Sequence, residues 1–157
     1  MSTLLKPART FCAVRFCDDL NRLEADIAVI GAPHGTPYKP GEASHAAGAS
    51  RAVREALSWF SVGSEQIDFD TEEPVFAGAR VVDCGDVPGD LGDGAANRAR
   101  IAEAPRAVLA RGAVPLLLVG IDFVEYVPER DPHGAGAQAI ARLACNAITA
   151  IARQRRR

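Results

Sequence analysis

The chain has no paired-cysteine motif, no strong charge imbalance and no long uninterrupted apolar run, and each absence removes a class of protein. Its four cysteines, Cys12, Cys17, Cys84 and Cys145, form no CxxC or CxxH pattern, which excludes a zinc ribbon or a thioredoxin-type redox motif. A chain of 157 residues is also too large to need disulfide staples, so reduced thiols and a cytoplasmic setting are expected. A formal charge of −2 gives no electrostatic case for nucleic acid or an anionic membrane. The only concentrated charge is the tail with Arg153, Arg155, Arg156 and Arg157. It reads as a solvated helix terminus favoured by the helix dipole, with a polybasic interaction tail as the alternative. No apolar run is read as reaching the roughly 20 residues that span a bilayer, and the N-terminus lacks the apolar core of a secretory signal. GxGxxG after the first strand, GxxxxGK[ST], HExxH and GxSxG are missing too.

What is present is an alternation of strand and helix patterns. Residues 26–31 and 79–88 are short apolar runs stopped by glycine or proline, and 114–119 is a continuous apolar run of the kind a strand shows when both faces are covered. A short strand is expected near 67–69. Helices are expected over 48–60, with Ser50 as N-cap and Trp59 and Phe60 sealing its end, over 95–111, and over 135–154. Val53, Ala56, Leu57 and Phe60 mark the apolar face of the first, and Ile101, Ala104, Val108 and Leu109 that of the second. Pro105 in the second predicts a kink or two short helices. The third carries the best amphipathic stripe, through Ile140, Leu143, Ala144, Ala147, Ile148 and Ile151. This order implies an α/β layered fold with a parallel sheet. Residues 1–24 read as an irregular arm draped over the surface, and residues 25–157 as a single domain.

In such a sheet, ligands gather at the carboxyl ends of the strands. The loop over 31–41, with three prolines and three glycines, is rigid and cannot be helical. His34 is its most reactive member, read as either a solvated loop histidine or a ligand-facing one; His45 is open to the same two readings. Asp122 and Glu125, beyond the run at 114–119, are either a turn cap and a solvated strand end or site residues. Asp83 and Asp86 invite a metal. The aspartates of the following loop, Asp90 and Asp93, serve as turn formers without one.

Several of these stretches together resemble a known family. IAVIGAPHGTPYKPGEASHAAGASRAVREAL, VVDCGDVPGD and RAVLARGAVPLLL are similar to the N-terminal portion of the agmatinase branch of the ureohydrolases, which also include arginase and formimidoylglutamase. GIDFVEYVPERDPHGAGAQAIARLACNAI resembles the family's last strand and closing helix. The resemblance implies a three-layer α/β/α fold with a parallel sheet, of the arginase/deacetylase type. It also implies hydrolysis of a small guanidino compound to urea and an amine by hydroxide bridging two Mn²⁺ ions. The family's metal ligands come from a GGDH turn and from DAHxD and SxDxDxxDP motifs. Here Leu116-Leu117-Leu118 is followed by Val119-Gly120-Ile121-Asp122 where GGDH would stand, and the other two motifs do not occur. The resemblance therefore implies a truncated fold that has lost its centre, with a join within 118–120, no metal ligands and no Mn²⁺ bound by this chain.

By the same resemblance Glu125 takes the place of the last-strand glutamate that receives the substrate guanidinium, a pairing suited to bidentate hydrogen bonds. The 35–41 loop matches the loop at the mouth of the site, making His34, Tyr38 and Lys39 substrate-side residues. The expectation is an agmatinase-like chain without catalytic residues. The alternatives are a non-catalytic remnant, homo-oligomeric or associated with an intact paralogue, and an unrelated small-molecule binder on an α/β fold.

Overall fold

The computed structural model describes residues 4–34, 39, 41–44, 47–56, 66–69, 72–119 and 131–155. Its regular elements are β1 (Ile27–Ala32), α1 (Ala49–Ala56), β2 (Ile67–Asp68), β3 (Glu73–Pro74), β4 (Val81–Asp86), α2 (Gly94–Ala110), β5 (Val114–Val119) and α3 (Ala135–Arg155). β4, β1 and β5 form a parallel sheet in that order, and β2 and β3 form a small antiparallel ribbon. β1 is central because all six of its residues are buried, as only a strand covered on both faces and both edges can be.

Strand alternation sorts the core into two layers. Ile27 and Val29 of β1, Val81 of β4 and Leu118 of β5 face one side, where Val53 of α1 and Ala141, Cys145 and Ile148 of α3 pack. Ala28 and Ile30 of β1 with Val82 and Cys84 of β4 face the other, against Ala104 and Val108 of α2. Helices thus lie on both faces of the sheet, the three-layer α/β/α arrangement expected from the sequence, with three parallel strands among the described residues.

Several expectations need correction. The N-terminal arm does not drape over the surface. Phe11, Cys12, Leu20 and Leu23 are buried in the two layers, and backbone hydrogen bonds tie Leu5 to Asp86 and both Arg15 and Cys17 to Asp83. The arm covers the β4 edge. Apolar periodicity cannot reveal such a segment, because its burial comes from edge pairing rather than from one face of a regular element. Ser50 does not cap α1; it lies within the helix, 2% exposed. Leu57, Trp59 and Phe60 lie outside the described residues.

α2 is one unbroken helix through Pro105, so two short helices are not found. Pro105 is only half-buried, which lets its ring sit away from the packed face. Leu109 is exposed at 58%, leaving Ile101, Ala104 and Val108 of the expected face to make the contact. In β5, Val114, Pro115, Leu116 and Leu117 are half-buried rather than covered on both faces; a proline within a strand suits its outer position among the described strands.

Four of the six residues of the expected α3 stripe meet the core: Ile148 is buried, and Ile140, Ala144 and Ile151 pack against the cluster. Leu143, 44% exposed, and Ala147 lie on the solvent side instead. The centre of the buried face is made of Ala137, Ala141, Cys145 and Ala152 with Ile148, small residues that let the helix approach the sheet closely. The stretch Ala135–Gln154 is also long and apolar enough by length and composition to cross a membrane, which the sequence reading did not pick out. Core helices meet the same measure. Here α3 carries Arg142 and Arg153, which pair at 2.9 and 3.0 Å with Asp68 and Glu73 on the ribbon.

Candidate functional site

Two groups of polar side chains lie at the carboxyl end of the sheet. The first is sealed. Arg54, on α1 and 2% exposed, reaches the fully buried Asp83 with two parallel hydrogen bonds, Nε to Oδ2 at 2.7 Å and Nη2 to Oδ1 at 2.9 Å. Its Nη1 donates to Asp86 Oδ1 at 2.7 Å. Asp83 also accepts from the backbone N–H of Phe11 and of Gly85, each at 2.8 Å. Burial works against the Arg54 charge, but hydrogen bonds and attraction from Asp83 and Asp86 outweigh it. The guanidinium therefore titrates above its ordinary value.

Gly31 makes this arrangement possible. Opposite Asp86 in the β1–β4 register, it leaves the space into which a Cβ would collide with the Asp86 carboxylate. The cluster joins α1, β1, β4 and the arm, and its carboxylates are committed to a guanidinium of the chain itself. The metal reading of Asp83 and Asp86 is thereby overturned. Arg54 was not singled out from the sequence, since a charged residue in a helix ordinarily faces water.

The second group lines an open cleft of about 560 Å³, its mouth included, between the loops after β1 and β4. Among its walls are His34, Glu42, Ser44, Asp90 and Asn97. His34 is half-buried, and its Nε2 lies 2.7 Å from the carbonyl of Val87. A carbonyl only accepts, so Nε2 carries the proton, and in the neutral ring Nδ1 keeps its lone pair. The ring lies so close to Gly89 that a Cβ there would strike it.

The opposite wall is braced from behind. Asn97 accepts from the Asp90 N–H at 2.9 Å and donates to the Asp90 carbonyl at 2.7 Å. Arg100 holds Asn97 Oδ1 at 2.6 Å and the Pro88 carbonyl at 3.0 Å. Asp90 Oδ1 accepts from Gly92 N–H, and Asp93 caps α2 through Ala96 N–H. These loop aspartates are turn formers, as the sequence suggests.

Of the residues expected on the substrate side, the structure places His34 in the cleft. Lys39 is largely exposed and reaches the cleft through an ion pair with Glu42 at 3.7 Å. Tyr38, Glu125, His45 and Asp122 lie outside the described residues. The bracing pair Asn97 and Arg100 was missed; their spacing of three on a helix that starts just after a strand end was the available signal.

The arginase/deacetylase type of fold raises the question of a manganese pair. Among the described residues no group of three or more His, Cys, Asp or Glu could hold a metal ion. The nearest candidates are Asp83 and Asp86, bound to Arg54, and His34, whose Nε2 is taken by Val87. The described residues do not fit that pair, and no chemical step is derived through it.

Comparison with known proteins adds a family. No curated protein matches the chain. A family model described as the arginase family matches residues 25–120, a span that takes in β1, α1, β4, α2 and β5. With well over half of its length matched in this way, the chain belongs to the arginase family.

Proposed function

We propose that this chain is an agmatinase-like ureohydrolase that has lost the metal-binding centre, and that on its own it does not release urea from guanidino compounds. The observation that carries the reading is the passage from Leu118 through Val119-Gly120 into Ile121-Asp122, where related hydrolases would place GGDH. The family match ends at residue 120, in keeping with such a break, and among the described residues Asp83 and Asp86 are engaged by Arg54. On this reading the His34 cleft, with Tyr38, Lys39 and Glu125, is the remnant of a site for a small guanidino compound, in a cytoplasmic protein.

The test is urea release from agmatine, guanidinobutyrate and arginine by the purified chain with added Mn²⁺, alongside metal content after loading. No turnover and no stoichiometric manganese are expected. Turnover above the metal-only control would overturn the proposal.

A second reading, a non-catalytic subunit that associates with a copy of itself or with an intact relative, is favoured by β5. Its residues Val114 to Leu117 are half-uncovered on the outermost of the described strands, and uncovered apolar surface promotes association. Light scattering that finds a dispersed monomer across concentrations would count against self-association.

A further inference from the structure

All four cysteines are buried and free, and they fall into two pairs that each join the N-terminal arm to the body of the fold. Cys17 stands beside Cys84 of β4. Cys12 stands opposite Cys145 of α3, with the two sulfurs 3.7 Å apart. That separation is a thiol–thiol contact, from which a disulfide forms when the sulfurs close to roughly 2.05 Å. Cys12 and the following Ala13 hold φ angles of 48° and 54°, a left-handed conformation disfavoured for residues with a Cβ. Ala13 is exposed while Phe11 and Cys12 are buried, so the turn sits at the surface with its thiol directed inward. Backbone strain of this kind persists only where the surroundings impose it, and it delivers Cys12 to Cys145.

We propose that Cys12 and Cys145 are a disulfide-forming site, oxidised by a small disulfide such as oxidised glutathione, that locks the arm to the last helix. The hydrogen bond between the sulfurs, strengthened by burial, keeps the proton on Cys12 and makes Cys145 the easier of the two to ionise. When the strained turn opens, the Cys145 thiolate attacks one glutathione sulfur, expelling one glutathione thiolate and leaving a mixed disulfide. Cys12 then gives its proton to solvent and attacks the Cys145 sulfur, displacing the second glutathione. Two protein thiols are oxidised and one glutathione disulfide is reduced. The second pair stays reduced because the Cys17 thiol donates to the Asp19 carbonyl at 3.4 Å, whereas Cys12 and Cys145 are turned to each other. Because Phe11 N–H holds Asp83, the bond would also clamp the arm onto the Arg54 cluster.

The test is to incubate the full chain with oxidised glutathione and count free thiols in denaturant, with non-reducing peptide mapping. Free thiols should fall from four to two, the mapped bond should join Cys12 to Cys145, and dithiothreitol should restore all four. The bond closes a very long loop, so the oxidised chain should melt about 10 °C above the reduced one. That rise should vanish in C145S and survive in C17S. Should C145S not fold, the mapping on the unaltered chain decides alone. Four free thiols after oxidation, stable glutathione adducts on Cys12 or Cys145, or a bond joining any other pair would each overturn the proposal.

Discussion

The two polar groups at the carboxyl end of the sheet use similar side chains in opposite ways. The Arg54 cluster lies within the packed layers, with each Asp83 oxygen taken by donors of the chain. The His34 cleft is open, and its histidine spends one nitrogen on the fold, leaving the other with its lone pair. Both hold carboxylates in β4 or in the loops that follow the strands, the feature that invites a catalytic or metal reading in any α/β protein. What separates them is an internal cation. Where a helix supplies a buried arginine, the strand-end acids are structural; where it does not, the acids either shape turns or remain accessible to a ligand.

The comparison breaks most visibly at Arg54. Arg54→Met leaves Asp83 buried without its counter-charge and should cost about 3–5 kcal/mol, read as a lowered urea midpoint or loss of soluble protein. A variant of unchanged stability would mean that the acids find another cation, such as a metal. Gly31→Ala drives a methyl toward the Asp86 carboxylate and should cost about 1–3 kcal/mol, measured by the same unfolding curves. At the open site the expected effect is smaller. His34→Ala removes one hydrogen bond to Val87 and should destabilise by about 1 kcal/mol, while abolishing any agmatine-induced shift in the resonances of the cleft. If agmatine perturbs Asp90 and Ser44 equally in both forms, His34 is not a substrate-side residue.

β1, β4 and β5 were legible from the sequence because each is a short apolar run, and β1 and β4 fall within a residue or two of the expected runs; β3, a two-residue partner for β2, was not. The cleft was legible in part through His34, whose rigid loop is written in prolines and glycines. Arg54 was not, since nothing local to α1 says that a cation will be drawn inward; the cause lies in Asp83 and Asp86, distant in sequence. The face of α3 was legible through Ile140, Ala144, Ile148 and Ile151, but its centre was not. Leu143 outweighs Cys145 in any tally of bulk, yet a helix lying close over a sheet selects small side chains where backbones approach. The burial of the arm was not legible because it depends on β4, not on a period of its own.

One feature of the sheet bears on how the molecule forms. β1 is made first in the chain but sits in the middle, with Ile27 beside Val81 on one side and Val114 on the other. Its two ladders close only after long stretches of polypeptide have been synthesised, and contacts between residues so remote along the chain make for slow folding. Until β5 arrives, β1, all of whose residues are buried in the folded protein, has a bare flank. The newborn chain is therefore most vulnerable to aggregation just before its third parallel strand leaves the ribosome.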